Sequence, residues 1–462
     1  MEQCARGAAR GSAVERVRQH ILCTLVCLGR HTVTQHIATA GRQFVDWTAD
    51  YRLYSKRRVD TPALFAPVRR TVVNHLPAET PLVAALDDTR LKKSSRNTPG
   101  VKYTRDPLGP PFHVNFMLAQ RFVQLSVAWP HETGLARMIP VDLVHAPVPK
   151  KPAKRAPEVM WITYRQRCRE QALGRVGQQR LRVLRTALDN DGEHARTLVG
   201  VVDGGYTNRT FLRAVPERTT IIGRIRGDAK LYYLPEEQPQ KGRRRLYGPP
   251  APTPNHLRGD TEVPWQHATA YAGGKQHHFR VKTLGPVRWR ATGEHHNLRL
   301  VVIAPLGYRL RKNGKILYRK PAYLICTDPH MNVENFLQYY LWRWDIEVNF
   351  RDEKSLLGLG QAQVHHPQSV ENVPALTVAA YAILLTAATS LYGLRGRPHE
   401  LPPPKWRRQQ QPRASTQNLI AQIRHDLWGQ AILFSDFDSS TTNNSKSQKN
   451  KPQLDAALFY AA

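Results

Sequence analysis

Apolar and polar positions along the chain change texture several times, and each change marks an element or a boundary. Residues 1 to 78 read as helical and basic, with Trp47, Tyr51, Leu53, Tyr54 and Leu64 available to pack helices together. Within them, Leu28 to Phe44 fits a small helix-turn-helix with Thr32 as its cap. From Pro81 short apolar runs replace the helical pattern. PLVAALDDT predicts a buried strand ending in two aspartates, and Phe112 to Leu118, Arg121 to Trp129 and Met138 to Val144 predict further strands. After the proline-broken connection 147–157, Trp161 to Leu188 reads as helix. Leu198 to Val202 and Thr220 to Ile225 are buried strands, so strand, helix and strand alternate as in an α/β core. Residues 229–321 break this order with an Arg-, Gly-, Pro- and His-rich stretch containing strand-like pieces such as Leu298 to Ile303. Tyr323 to Thr327 restores a core strand. Beyond Leu394 a linker (401–413), a short helix at Thr416 to Trp428 and a polar, disordered segment (439–452) are expected.

The segment from Asn332 to Gly360, NVENFLQYYLWRWDIEVNFRDEKSLLGLG, reads as one helix. Asp328-Pro329 and Asn332 offer caps, and Gly358 and Gly360 offer a left-handed stop. At about 100° per residue, Tyr340, Arg343, Glu347 and Lys354 share an arc of roughly 60°. Trp344 and Arg351 lie at its edge, while Ile346, Phe350 and Leu357 form the adjoining apolar stripe. A solvated face with an Arg343–Glu347 pair at four-residue spacing is the plain structural reading.

Charge narrows the partners. The 462 residues carry 68 Lys/Arg against 36 Asp/Glu, a net +32, which favours a polyanion such as nucleic acid or an anionic membrane surface. Residues 150–185 hold eleven Lys/Arg against Glu158 and Glu170, which suggests a phosphate-facing surface. Ala375 to Leu394 has the length of a membrane span, but its Ala/Thr content and isolation favour a buried core helix over an anchored, membrane-associated protein. Cys23 and Cys27 have no second cysteine pair to complete a zinc site, so they and the other three cysteines read as thiols in a reducing cytoplasm. Adjacent histidine pairs lack metal-ligand spacing, and no G-x-S-x-G elbow supports a serine hydrolase.

Three acidic positions carry the candidate chemistry. Asp203 precedes Gly204-Gly205 after a buried strand, Asp87-Asp88 end another strand before Thr89, and Glu347 lies on the late helix. Oxygen-only ligands suit Mg²⁺ or Mn²⁺ rather than zinc, and two such ions support in-line phosphoryl transfer. Tyr340, Arg343, Glu347 and Lys354 at their spacings resemble the YREK signature of DDE transposases from bacterial insertion sequences. The resemblance runs from about residue 45 to 394. It implies an RNase H-like α/β catalytic core in two parts (79–228 and 322–394), interrupted by a β-rich insertion at 229–321. An N-terminal helical domain (1–78), a candidate for DNA binding, and a partly disordered tail (395–462) flank that core.

By the same resemblance, Asp88, Asp203 and Glu347 are the catalytic metal ligands, Asp88 being favoured over Asp87 because it directly precedes Thr89. Tyr340, Arg343 and Lys354 are carried over as contacts to DNA phosphates, with Arg351 and Trp344 beside them. The implied activity is Mg²⁺- or Mn²⁺-dependent cleavage at transposon ends and strand transfer into target DNA. The implied setting is a homodimer on double-stranded DNA in the bacterial cytoplasm, at the nucleoid, with no membrane. A catalytically inactive DNA-binding relic of the same fold is the alternative. Trp265 and Trp289, in the insertion, are candidates for stacking on an unpaired base.

Overall fold

A computed structural model describes every residue except 107, 108, 111, 237–243, 294, 295, 312, 397–412 and 434–462. The expected linker, save Arg413, and the expected disordered segment therefore lie outside the described residues.

The chain opens with five helices: α1 (Glu2–Ala8), α2 (Ser12–Val26), α3 (Val33–Thr39), α4 (Thr48–Ser55) and α5 (Thr61–His75). Thr32 caps α3 by accepting from Gln35 N–H, as its position suggested. That helix has only seven residues, and Val33, His36 and Ile37 are buried, so little of it is offered to a groove of DNA.

Strands β1 (Leu82–Lys92), β2 (Lys102–Arg105), β3 (Phe116–Pro130) and β4 (Ala136–His145) follow. β3 merges the end of one predicted strand with the whole of another. β1 does not end at its aspartates, because Thr89–Lys92 stay paired with Ala119–Phe122 of β3. The expected single helix after them is two, α6 (Glu158–Glu170) and α7 (Leu173–Asn190). Then come β5 (Leu198–Val202), α8 (Arg209–Leu212) and β6 (Thr219–Arg224).

β4, β3 and β1 are antiparallel neighbours, while β1, β5 and β6 run parallel. This order, 3-2-1-4-5 in sequence rank, is the RNase H-like arrangement that the resemblance implied.

Residues 229–321 supply β7 (Leu231–Tyr233), α9 (Pro254–Gly259), β8 (Gln266–Ala272), β9 (Lys275–Trp289), β10 (Leu298–Ile303), and the small hairpin β11 (Gly307–Tyr308) and β12 (Leu317–Tyr318). β13 (Ala322–Cys326) pairs antiparallel with β6, and β10 and β9 continue outward from it. Strands β7 to β10 of this stretch thus extend the core into one eleven-stranded sheet, and the β11/β12 hairpin forms a separate two-stranded sheet.

The chain closes with α10 (Val333–Trp342), α11 (Asp345–Ser355), α12 (Pro367–Tyr392) and α13 (Thr416–Leu433). The two sheet faces have different partners. Val83, Ala85, Val199 and Val201 pack with Phe336, Leu337, Ile346 and Phe350 of α10 and α11. Leu82, Ala84, Leu86 and Leu198 belong to the larger core, with α7, α12 and the N-terminal helices. Helix α12 has the length and composition of a membrane span, but 83% of its apolar window is buried inside the protein.

Candidate active site

Strand alternation decides which carboxylates can meet. Side chains on β1 point to opposite faces in turn, and Val83 and Ala85 lie on the α10/α11 side. Asp87 continues that series. Its cross-strand neighbour Gln124 donates to Glu353 Oε1 of α11 at 3.0 Å, which fixes the same side independently. Asp88 continues the series of Ala84 and Leu86 instead, opposite Val123 of the larger core.

Asp203 follows β5 directly, in a turn where Tyr206 N–H donates to its carbonyl at 3.0 Å. Neither Gly204 nor Gly205 adopts a positive φ there, so the turn does not depend on glycine for its backbone angles. The residues β5 shares with α10 and α11 are Val199 and Val201, and Asp203 extends that series by one step.

The late helix is not continuous. Trp344 N–H bonds Leu341, Ile346 bonds Arg343 and Glu347 bonds Trp344, all at three-residue spacing. The last turn is thus tightened around Arg343 and Trp344, which separates α10 from α11. Asn332, not Asp328, caps α10, accepting from Glu334 and Asn335 N–H. Gly358 (φ +61°) and Gly360 (φ +96°) take the left-handed stop. Further support holds α11 in place: Arg413 reaches both Asp345 carboxylate oxygens at 2.9 Å, and Asn349 donates to Met138 carbonyl at 2.9 Å.

At the break, Arg343 is buried beneath the acids. Its guanidinium is 3.3 Å from Asp87 and 3.4 Å from Glu347, with the Tyr340 ring 5.7 Å away. Burial opposes its charge, but the fields of Tyr340, Asp87, Asp203 and Glu347 outweigh that and push its pKa up. The acids show the converse. Burial raises Asp87 to about 6, with Arg343 pulling it down and Asp88 and Asp203 adding to the rise. Burial also raises Glu347, again with Asp203 contributing and Arg343 opposing. A set of carboxylates that repel one another and share one cation is poised to take up divalent metal.

Asp88 has different company. Burial raises its pKa, and Arg90, Arg121 and Lys354 work against the rise. Arg90 and Arg121 face each other across β1 and β3. Tyr206, buried to 1% exposure, has a hydroxyl with no hydrogen-bond partner, and Asp88 is the strongest charge acting on it. Lys354 therefore stands with Asp88, whereas Tyr340, Arg343 and Glu347 stand with Asp87 and Asp203.

The remaining expected residues do not join the cluster. Trp344 is exposed at the helix break, and Arg351 pairs with its neighbour Asp352 at 2.9 Å. Trp265 carries Lys282 and Arg280 over its ring at 4.8 and 5.2 Å, and Trp289 packs against the core beside β7, so neither is set out for a base. Sequence reasoning missed Arg90 and Arg121. Arg90 was legible, since it lies two residues past Asp88 on the same strand face; Arg121 needed the strand pairing.

A family model of DDE superfamily endonucleases matches residues 13–296. The chain belongs to that superfamily. The match contains Asp87, Asp88 and Asp203 and ends before the helix break, so Glu347 joins them through the fold alone. No significant match to a curated protein is found. Membership brings DNA as substrate and a nuclease of the divalent-metal-dependent kind.

Proposed function

We propose that this DDE endonuclease is a transposase that cuts DNA at the ends of a mobile element and joins the freed 3′ ends to target DNA. Asp87, Asp203 and Glu347 are the metal ligands in this reading, with Asp87 taking the role that the motif alone assigned to Asp88. The observation that carries it is Arg343 wedged between Asp87 and Glu347, with Asp203 acting electrostatically on both acids. The all-oxygen donor set favours Mg²⁺ or Mn²⁺. When bound, such ions activate the attacking water or 3′-hydroxyl and stabilise the leaving oxygen.

The protein's own groups set the geometry for that step. Arg343 holds Asp87 and Glu347 together and is placed to offer its charge to the scissile phosphate. Tyr340 backs the guanidinium and limits its motion. Asp88, Arg90, Arg121 and Lys354 form a mixed charged patch beside the site, suited to a flanking phosphate. Arg175 and Arg182 line an open groove on α7, where the basic run from residue 150 continues, and guide the duplex outside the site. Two element ends must be brought together, so a homodimer on DNA is part of the proposal.

The test is nicking of supercoiled DNA that carries the sequences flanking this gene, with Mg²⁺ or Mn²⁺. Asp203→Asn should bind that DNA like the parent and cut it at least about a hundredfold more slowly. Metal-independent nicking, or equal rates in the two proteins, would overturn the assignment.

A further inference from the structure

A second group of ligating side chains lies at the opposite end of α11 from Glu347. Cys27 ends α2, His31 is in the following turn and His36 is on α3. One ligand atom from each lies within 4.8 Å of the other two, and all three residues are buried. With Cys23 one helical turn earlier, the spacing is Cys-x3-Cys-x3-His-x4-His.

Buried histidines are ordinarily hydrogen-bonded, and His20 next to the group is: Nε2 meets Asp50 at 3.0 Å and Nδ1 meets the Tyr54 hydroxyl at 3.0 Å. His36 differs. It is only 6% exposed, its ring packs edge-on against His20 and His31, and neither ring nitrogen has a partner. His31 also leaves Nδ1 without a partner. The Cys27 thiol makes only a weak contact, 3.5 Å to the Gly29 carbonyl.

The geometry points to a Zn²⁺ site formed by Cys27 Sγ, His31 Nδ1 and a ring nitrogen of His36; Cys23 lies outside that trio and would have to turn in to complete the four donors of a structural site. Sulfur and imidazole donors select zinc over the hard ions suited to the carboxylate site. Ligation takes neutral imidazoles and a thiolate, so zinc binding would release the Cys27 proton. The site joins three parts of the chain. His31 N–H bonds the Gln361 side chain at 2.8 Å, and a Cβ on Gly358 would come within 2.4 Å of His31 Cβ. Arg424 of α13 donates to the Cys27 carbonyl at 2.7 Å. Zinc here would pin the N-terminal helices to the end of α11 and so fix the position of the helix that carries Glu347.

The full chain, purified without added metal and desalted, should contain about one zinc per molecule by inductively coupled plasma mass spectrometry. After chelation its melting temperature should fall and recover with Zn²⁺ but not with Mg²⁺. Cobalt replacement should give a thiolate-to-metal charge-transfer band that Cys27→Ser abolishes and Cys23→Ser reduces by roughly half. Asp203→Asn should keep both zinc and the cobalt band, which separates this site from the carboxylates. Folded parent protein with less than roughly a tenth of an equivalent of zinc, and no melting response to added Zn²⁺, would overturn the proposal. So would a cobalt charge-transfer band that persists in Cys27→Ser; if that variant fails to fold, metal content and the cobalt spectrum of the parent decide.

Discussion

Replacing Asp87 with Asn is expected to stabilise the metal-free protein and inactivate it in one step. The Asp87 side chain is 21% exposed, and its pKa stands at about 6 against an ordinary 3.8. Each unit of pKa difference is worth about 1.4 kcal/mol, so ionised Asp87 costs the folded state up to about 3 kcal/mol above pH 6. The attraction of Arg343 is already contained in that figure. Because the folded state holds this proton more tightly than the unfolded one, stability falls as pH rises from about 3.8 through about 6, and stays lower beyond.

Asn carries no charge to bury, so Asp87→Asn should gain about 1–3 kcal/mol at pH 7.5, seen as a rise of a few degrees in melting temperature. Mg²⁺ gives the parent a similar relief by neutralising the acids, and should raise its melting temperature while leaving Asp87→Asn nearly unmoved. Thermal melts at pH 5 and 7.5, with and without Mg²⁺, and plasmid nicking on the same samples make the test. Asp88→Asn should keep both the Mg²⁺ response and most of the nicking. Full nicking by Asp87→Asn, or its loss only in Asp88→Asn, would refute the alternation argument and move the ligand to Asp88.

Other outcomes follow from the same geometry. Glu347→Gln should lose nicking yet bind DNA as the parent does, since removing an acid leaves the phosphate contacts intact; unchanged nicking would exclude Glu347 as a ligand. Arg343→Ala removes the cation between two partly buried acids and should cost about 2–4 kcal/mol in metal-free buffer, partly restored by Mn²⁺ in a thermal melt. Affinity for duplex DNA of any sequence should fall linearly on a log–log plot against salt, by about 0.9 per phosphate contacted; a flat line in a titration by fluorescence anisotropy would contradict a charge-driven DNA surface. Gly177→Ala would place a Cβ within 2.5 Å of Leu86 and 2.8 Å of Tyr206, so urea unfolding should show a loss of about 1–3 kcal/mol.

Much of the core was legible because its strands are pure apolar runs: Leu198 to Val202 and Leu298 to Ile303 match β5 and β10 residue for residue. The same purity hid the phase of β1. Leu82 to Leu86 are buried on both faces, so apolar–polar alternation could not tell which aspartate faced the late helix, and only pairing with β3 does. The acids also made β1 look shorter than it is, since cross-strand bonds rather than composition carry it to Lys92. The late helix read as one because Arg343 and Trp344 have ordinary helical propensity, and the tightened turn there leaves no mark in the sequence. His31 and His36 escaped notice for another reason: they fall on either side of a helix cap, and their nearness to Cys27 arises from the turn between α2 and α3.

The central position of α12 has a consequence for how the chain comes into being. It packs against α2, α4 and α5 as well as β4 and α11, so helices made first are completed by one made some three hundred residues later. At translation rates of about 5–20 residues per second, those helices must wait roughly 15–60 s for their partner. During that time the apolar faces of α2 and α5 are open to chaperones and to other nascent chains. Premature termination before Pro367 should therefore yield aggregates rather than a DNA-binding fragment, and a soluble, helical product ending near residue 330 would show otherwise. An element made late thus becomes a checkpoint on synthesis: a chain interrupted before it can neither settle its beginning nor complete the packing around α11.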